Sequence, residues 1–126
     1  MTDRRQFIKA GLVLGAGIVL LRGAPVLGRI GKDVPRSLLD SFPRRSPYLT
    51  SRPDGDGLVL VPSGQEEPAY RLNKVASAIW ELCDGRHSPR QMAQMLTRRF
   101  DVSEEVCLRD TLELLSVLYE KGLISF

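Results

Sequence analysis

The side chains best equipped for chemistry are few and scattered. Cys83 and Cys107 are the two cysteines, with no CxxC between them, and His87 is the single histidine. A reactive thiolate needs a neighbouring base or cation, and a metal site needs several ligands at fixed spacing. Neither arrangement occurs. There is no GxxxxGK[ST] phosphate loop, and Ser63-Gly64 reads as a turn, not a nucleophile elbow. Both cysteines fall on apolar faces of predicted helices, which is where core thiols sit; their pairing in an oxidising compartment stays open. The expectation is therefore no catalytic residue, no metal and no cofactor. What is left is recognition.

The elements that would carry recognition belong to two unlike pieces. The chain has 126 residues, 18 basic and 15 acidic. Nine of the basic residues and three of the acidic ones lie in residues 1–45, which leaves residues 46–126 with a net charge of −3. The excess positive charge belongs to the N-terminal part, and an acidic domain argues against tight binding to a phosphate backbone. Residues 46–126 are about as few as fold without staples.

Residues 1–28 read as an address. Arg4-Arg5 precede Gln6-Phe7-Ile8-Lys9, and the uncharged run 10–21 follows until Arg22. A basic start and a short apolar stretch make a signal segment, too short for an ordinary membrane-spanning helix. The motif Asp3-Arg4-Arg5-Gln6-Phe7-Ile8-Lys9 resembles a twin-arginine translocation signal, with Arg4, Arg5, Phe7, Ile8 and Lys9 as its marker residues. That implies the twin-arginine translocase as a partner and a periplasmic destination. The segment either is cut, with Val26-Leu27-Gly28 the best site, or stays as an anchor helix through residues 6–21. If the signal is unused, the protein is cytoplasmic. Residues 29–45, with Pro35, Pro43, Arg36, Arg44 and Arg45, read as a tether.

In residues 46–126, Tyr48–Arg52, Leu58–Val61 and Ala69–Leu72 read as short strands separated by Pro53-Asp54-Gly55-Asp56-Gly57 and a polar loop. Three helices follow. Asn73 caps the first, and Asp84-Gly85 ends it. Ser88-Pro89-Arg90-Gln91 opens the second with a capping box. Ser103 opens the third, which stops at Gly122. On a wheel the third helix carries an apolar arc of about 160°, wider than the roughly 100° stripe a core-facing helix needs. Either one edge of it is left over after the core is filled, or the neighbouring helices and the tail cover all of it. Leu123–Phe126 is expected to dock back.

Leu72-Asn73, Ala76, Ile79-Trp80, Leu82, Asp84-Gly85, Phe100-Asp101-Val102 and Leu118-Tyr119-Glu120-Lys121-Gly122-Leu123 together resemble the PqqD family, the recognition elements of ribosomally made, modified peptides (RiPP recognition elements). The resemblance spans about residues 46–126. It implies an α+β, winged-helix-like fold of three antiparallel strands and three helices, with no catalytic residues. It also implies that the leader of a precursor peptide adds as a strand beside the third strand, in a groove against the third helix. The peptide is then presented to a modifying enzyme, often a radical S-adenosylmethionine enzyme. On that reading the edge is Ala69, Tyr70, Arg71 and Leu72. The helix supplies Leu108, Leu112, Leu115 and Tyr119, and Arg71 and Arg109 meet acidic leader residues.

An export signal departs from the cytoplasmic habit of the family, so the same fold has rivals. A periplasmic or membrane-anchored assembly subunit would use the same strand edge on a protein partner. A winged-helix regulator would place Arg90, Arg98 and Arg99 of the second helix on DNA, which the acidic domain and the signal disfavour.

Overall fold

A computed structural model describes residues 17–21 and 36–126. The expected meander is its centre. Strands β3 (Leu49–Asp54), β4 (Gly57–Pro62) and β5 (Tyr70–Leu72) pair antiparallel in sequence order. The β3–β4 hairpin closes over Gly55 and Asp56, and only Gly55 takes positive φ, at 66°. Positive φ at the first central residue is the II′ pattern, whose twist suits adjacent strands. Pro53 sits within β3, where an outer strand tolerates a missing N–H.

Three helices follow, each started by the cap its sequence announces. Asn73 Oδ1 accepts the Ala76 N–H at 2.9 Å ahead of α2 (Lys74–Glu81). Ser88 and Gln91 form the reciprocal capping box of α3 (Pro89–Phe100). Ser103 caps α4 (Glu104–Glu120), and Gly122 ends it at φ 75°. The core gathers Leu60, Leu72, Ile79, Trp80, Met92, Leu96, Leu115 and Leu118 between the sheet and these helices.

Two findings differ from the sequence reading. The first concerns the tether. Residues 36–45 belong to the domain: α1 (Arg36–Leu39) buries Leu38 in the core, and β2 (Arg44–Arg45) pairs with β6 (Ile124–Ser125). Arg45 Nη1 donates to the carbonyls of Trp80 and Glu81, at 3.1 and 2.9 Å. It thereby caps the C-terminal end of α2, where the Trp80 carbonyl also accepts the Cys83 N–H at 3.0 Å. Residues 36–45 thus pack with the part of the chain that the sequence reading starts at Ser46. The C-terminal tail docks as expected, through β6.

The second concerns the expected signal or anchor helix. Its described part, β1 (Ile18–Leu20), is a strand, and it extends the sheet to the order β1-β5-β4-β3. Gly17 disfavours a helix, while Ile18 and Val19 are β-branched and suit a strand. The edge of β5 supplies the partner they need. Arg4, Arg5, Phe7, Ile8 and Lys9 lie outside the described residues. No helix among the described residues is long and apolar enough to cross a membrane.

Candidate functional site

The outer edge of β5 is built by local rules. The three-residue strand Tyr70–Leu72 lies between Ala69 and the helix cap at Asn73. Its inner side pairs with β4, Leu58 opposite Leu72 and Leu60 opposite Tyr70. Its outer side pairs antiparallel with β1, Ile18 opposite Leu72, Val19 opposite Arg71 and Leu20 opposite Tyr70. The Leu21 N–H donates to the Ala69 carbonyl at 2.9 Å, and the Asn73 N–H donates to the Gly17 carbonyl at 3.1 Å. Antiparallel ladders alternate bonded and non-bonded pairs. Arg71, midway between those two bonds, therefore turns its N–H and C=O to the outer edge, and Tyr70 and Leu72 turn theirs toward β4.

The side chains at this edge divide by face. Leu72 is fully buried in the core, and Tyr70 is half-buried against it. Arg71 lies on the opposite, exposed face, where its Nε meets Asp54 Oδ2 at 2.8 Å. The cation expected to meet an acidic peptide thus already has an acidic neighbour across the sheet. Ile18 points to the same side as Leu72 and is 4% exposed, a member of the same core cluster.

Helix α4 resolves the over-wide apolar arc. Leu115 is wholly buried, so it packs the core and does not line a surface. Leu108 and Leu112, one turn apart, are half-buried at the core margin. Tyr119 is exposed, its ring 4.7 Å from that of Phe126. The left-over edge is therefore Leu108, Leu112 and Tyr119. Arg109 is exposed beside the buried Asp110, at 3.7 Å.

Among the described residues, no group of three or more His, Cys, Asp or Glu side chains is placed to hold a metal. Cys83 and Cys107 are free thiols in the core. Burial pushes Cys83 up to about 12, against a smaller opposing pull from Arg45, and pushes Cys107 up to about 11. Neither is a thiolate at neutral pH. His87 Nδ1 lies 2.9 Å from Asp84 Oδ1 in the loop after α2. That bond, and then the Arg86 N–H, hold the Asp84 carboxyl below its usual range. On α3, Arg99 stands over the Phe100 ring at 5.3 Å.

The residues missed by sequence reasoning are Gly17 and Ile18, which complete this edge. The signal was the β-branched pair Ile18-Val19 directly after a glycine, inside a run whose basic flank reads as a signal.

Three kinds of similarity agree with the geometry. Residues 57–124 match the family model described as Coenzyme PQQ synthesis protein D (PqqD). A curated relative, the PqqA binding protein of Methylococcus capsulatus (strain Bath), is 40% identical over 57 residues, 44% of this chain and 57% of its own length. The chain thus matches little more than half of that relative. Among solved structures, a lasso peptide synthetase B1 complexed with the leader peptide superposes with a TM-score of 0.58 at 28% identity, over 68% of this chain and all of that one. The PqqD truncation of Methylobacterium extorquens PqqCD, described as a stand-alone RiPP recognition element, gives 0.54 at 27% identity, over 67% and 88%. TbiB1 in complex with the TbiA(beta) leader peptide gives 0.56 at 24% identity, over 65% and 94%, a likeness of fold alone.

Proposed function

The chain belongs to the PqqD family, and from that we propose that it is a non-catalytic peptide chaperone. It takes the leader of a ribosomally made precursor peptide onto the outer edge of β5 and presents it to a modifying enzyme, of the radical S-adenosylmethionine class. The observation that carries this reading is that β5 accepts an added antiparallel strand along its whole length, as β1 does here. Main-chain bonds supply affinity for any extended segment, and alternate side chains choose among segments. In the register seen, the position opposite Leu72 holds an aliphatic side chain in the core, so the leader class is one with an aliphatic anchor there. The relatives support the reading. One is named for binding PqqA, and a solved relative at 28% identity holds a leader peptide.

As part of the same proposal, the Arg4-Arg5 motif directs export by the twin-arginine translocase, so that the domain works on the periplasmic face.

The test is a titration of the full chain with the PqqA peptide of Methylococcus capsulatus, the wild-type Arg71 against Arg71→Pro, both in an Ile18→Asp background that frees the outer edge of the docked strand. The substitution removes an N–H that faces the outer edge and spares the bonds to β4. Binding by the form that keeps Arg71, with at least a tenfold loss in the Arg71→Pro form, is expected. Equal binding by both overturns strand addition at β5.

A further inference from the structure

We propose that residues 17–21 are a built-in stand-in for the leader strand, so that docking of this segment and binding of a leader exclude one another. The inference rests on the reading of β5 as the leader edge and adds its regulation.

Strand β5 has two sides, and β4 holds one of them. The other carries a single set of backbone groups, and the docked segment uses them: Ala69 C=O is taken by Leu21, and Asn73 N–H by Gly17. A second strand cannot pair there without displacing the first. The segment also fills the side-chain position a leader would use, because Ile18 is buried in the core opposite Leu72. A further contact is specific to this occupant. The Gly17 N–H donates to Asn73 Oδ1 at 3.1 Å, and a Cβ at residue 17 would lie 3.2 Å from Asn73 Nδ2. The sequence places a glycine where the backbone must come close.

A tethered competitor acts at an effective concentration on the order of millimolar. Modest intrinsic docking therefore suppresses a free peptide strongly. Linkage is reciprocal: whatever factor the segment removes from leader affinity, a bound leader removes from docking of the segment. Loading the domain thus releases the end of the apolar run 10–21, the part of the chain that follows the arginine pair. An unloaded domain keeps it sequestered.

The experiment uses the full chain and two labelled probes, the Methylococcus capsulatus PqqA peptide and a peptide of this chain's residues 14–24 with a solubilising lysine tail. Ile18→Asp ejects the docked strand by placing a charge at a core position. It is expected to bind both probes at least tenfold more tightly than wild type. A second variant, Leu20→Cys with Tyr70→Cys, bridges a non-bonded cross-strand pair, whose Cα separation suits a disulfide. Oxidised, it is expected to lose both probes, and reduction is expected to restore them. Equal affinity of wild type and Ile18→Asp, together with equal affinity of the oxidised and reduced forms, overturns the proposal. Failure of the parent reading looks different. The PqqA peptide then binds no variant, and the 14–24 peptide still binds Ile18→Asp; that result overturns competition with a leader.

Discussion

Asn73 Oδ1 accepts two backbone N–H groups at once, that of Ala76 at 2.9 Å and that of Gly17 at 3.1 Å. One oxygen therefore starts α2 and also clamps the strand added to β5. Asn73→Ala removes both functions. It is expected to cost about 1 kcal/mol as a lost cap and to raise hydrogen exchange at residues 17–21. Asn73→Asp keeps the acceptor and should leave both nearly intact. Urea melts and exchange mass spectrometry check this, and unchanged exchange at 17–21 in Asn73→Ala would remove Asn73 from the clamp.

Arg45 ties the segment before β3 to the end of α2. Its guanidinium serves the Trp80 and Glu81 carbonyls while its own N–H donates to the Cys83 carbonyl at 3.0 Å. Hydrogen bonds involving a charged group contribute roughly 1.5–3 kcal/mol, reduced here by partial exposure. Arg45→Gln is expected to lower stability by about 1–2 kcal/mol. Leu38→Ala, which empties a fully buried site, is expected to cost about 2–5 kcal/mol. Thermal denaturation of the two variants measures both. A chain beginning at Ser46 lacks both groups and should melt well below one beginning at Arg36.

Gly57 opens β4 where the backbone of the next strand passes close. A Cβ at this position would collide with the Leu72 carbonyl oxygen, and that atom cannot swing aside as a side chain would. Gly57→Ala must push β4 from β5 and is expected to destabilise by about 1–3 kcal/mol, the usual range for overpacking. Because Leu72 lies in the recognition strand, the same variant should also weaken peptide binding, which a titration at a temperature where it remains folded will read.

The buried thiols give an alkaline signature. Both are raised in the folded state, Cys83 to about 12 and Cys107 to about 11. An unfolded thiol ionises near pH 8.5. Below that pH both states hold the proton and stability is full. Above it the unfolded state loses its proton first, so stability falls as pH rises toward the folded values. The decline is up to about 1.4 kcal/mol per pH unit for each thiol. Chemical denaturation between pH 8 and 11 should show a steeper fall for wild type than for Cys83→Ala/Cys107→Ala. Identical slopes would mean that the thiols ionise in the folded protein as readily as in the unfolded one.

Local signals in the sequence were sufficient for the helices. Asn73, Ser88 with Gln91, Ser103 and Gly122 each act within a few residues of their own position, and each is found in the predicted role. The strands of the meander were legible for the same reason. What stayed hidden depends on partners far along the chain. Nothing near Arg44 and Arg45 announces pairing with Ile124 and Ser125, and nothing near Leu38 announces that its turn packs against α3 and α4, far along the chain. At the site, the apolar stripe of α4 was visible but its depth was not. Leu115 and Leu108 look alike on a wheel, yet one is core and the other rim. Residues 18–20 were read by their basic flank and apolar content, and those features do not distinguish a membrane-seeking helix from a strand that needs an edge.

The most direct test of leader recognition at β5 is isotope-edited NMR of the full chain with a labelled PqqA peptide of Methylococcus capsulatus. Strand addition predicts cross-strand Hα–Hα contacts from the peptide to Tyr70 and Leu72, the non-bonded positions of the outer edge, with loss of the contacts those residues make to Ile18 and Leu20. Peptide contacts confined to β3 or to the arginines of α3, with the β1–β5 contacts intact, would contradict it.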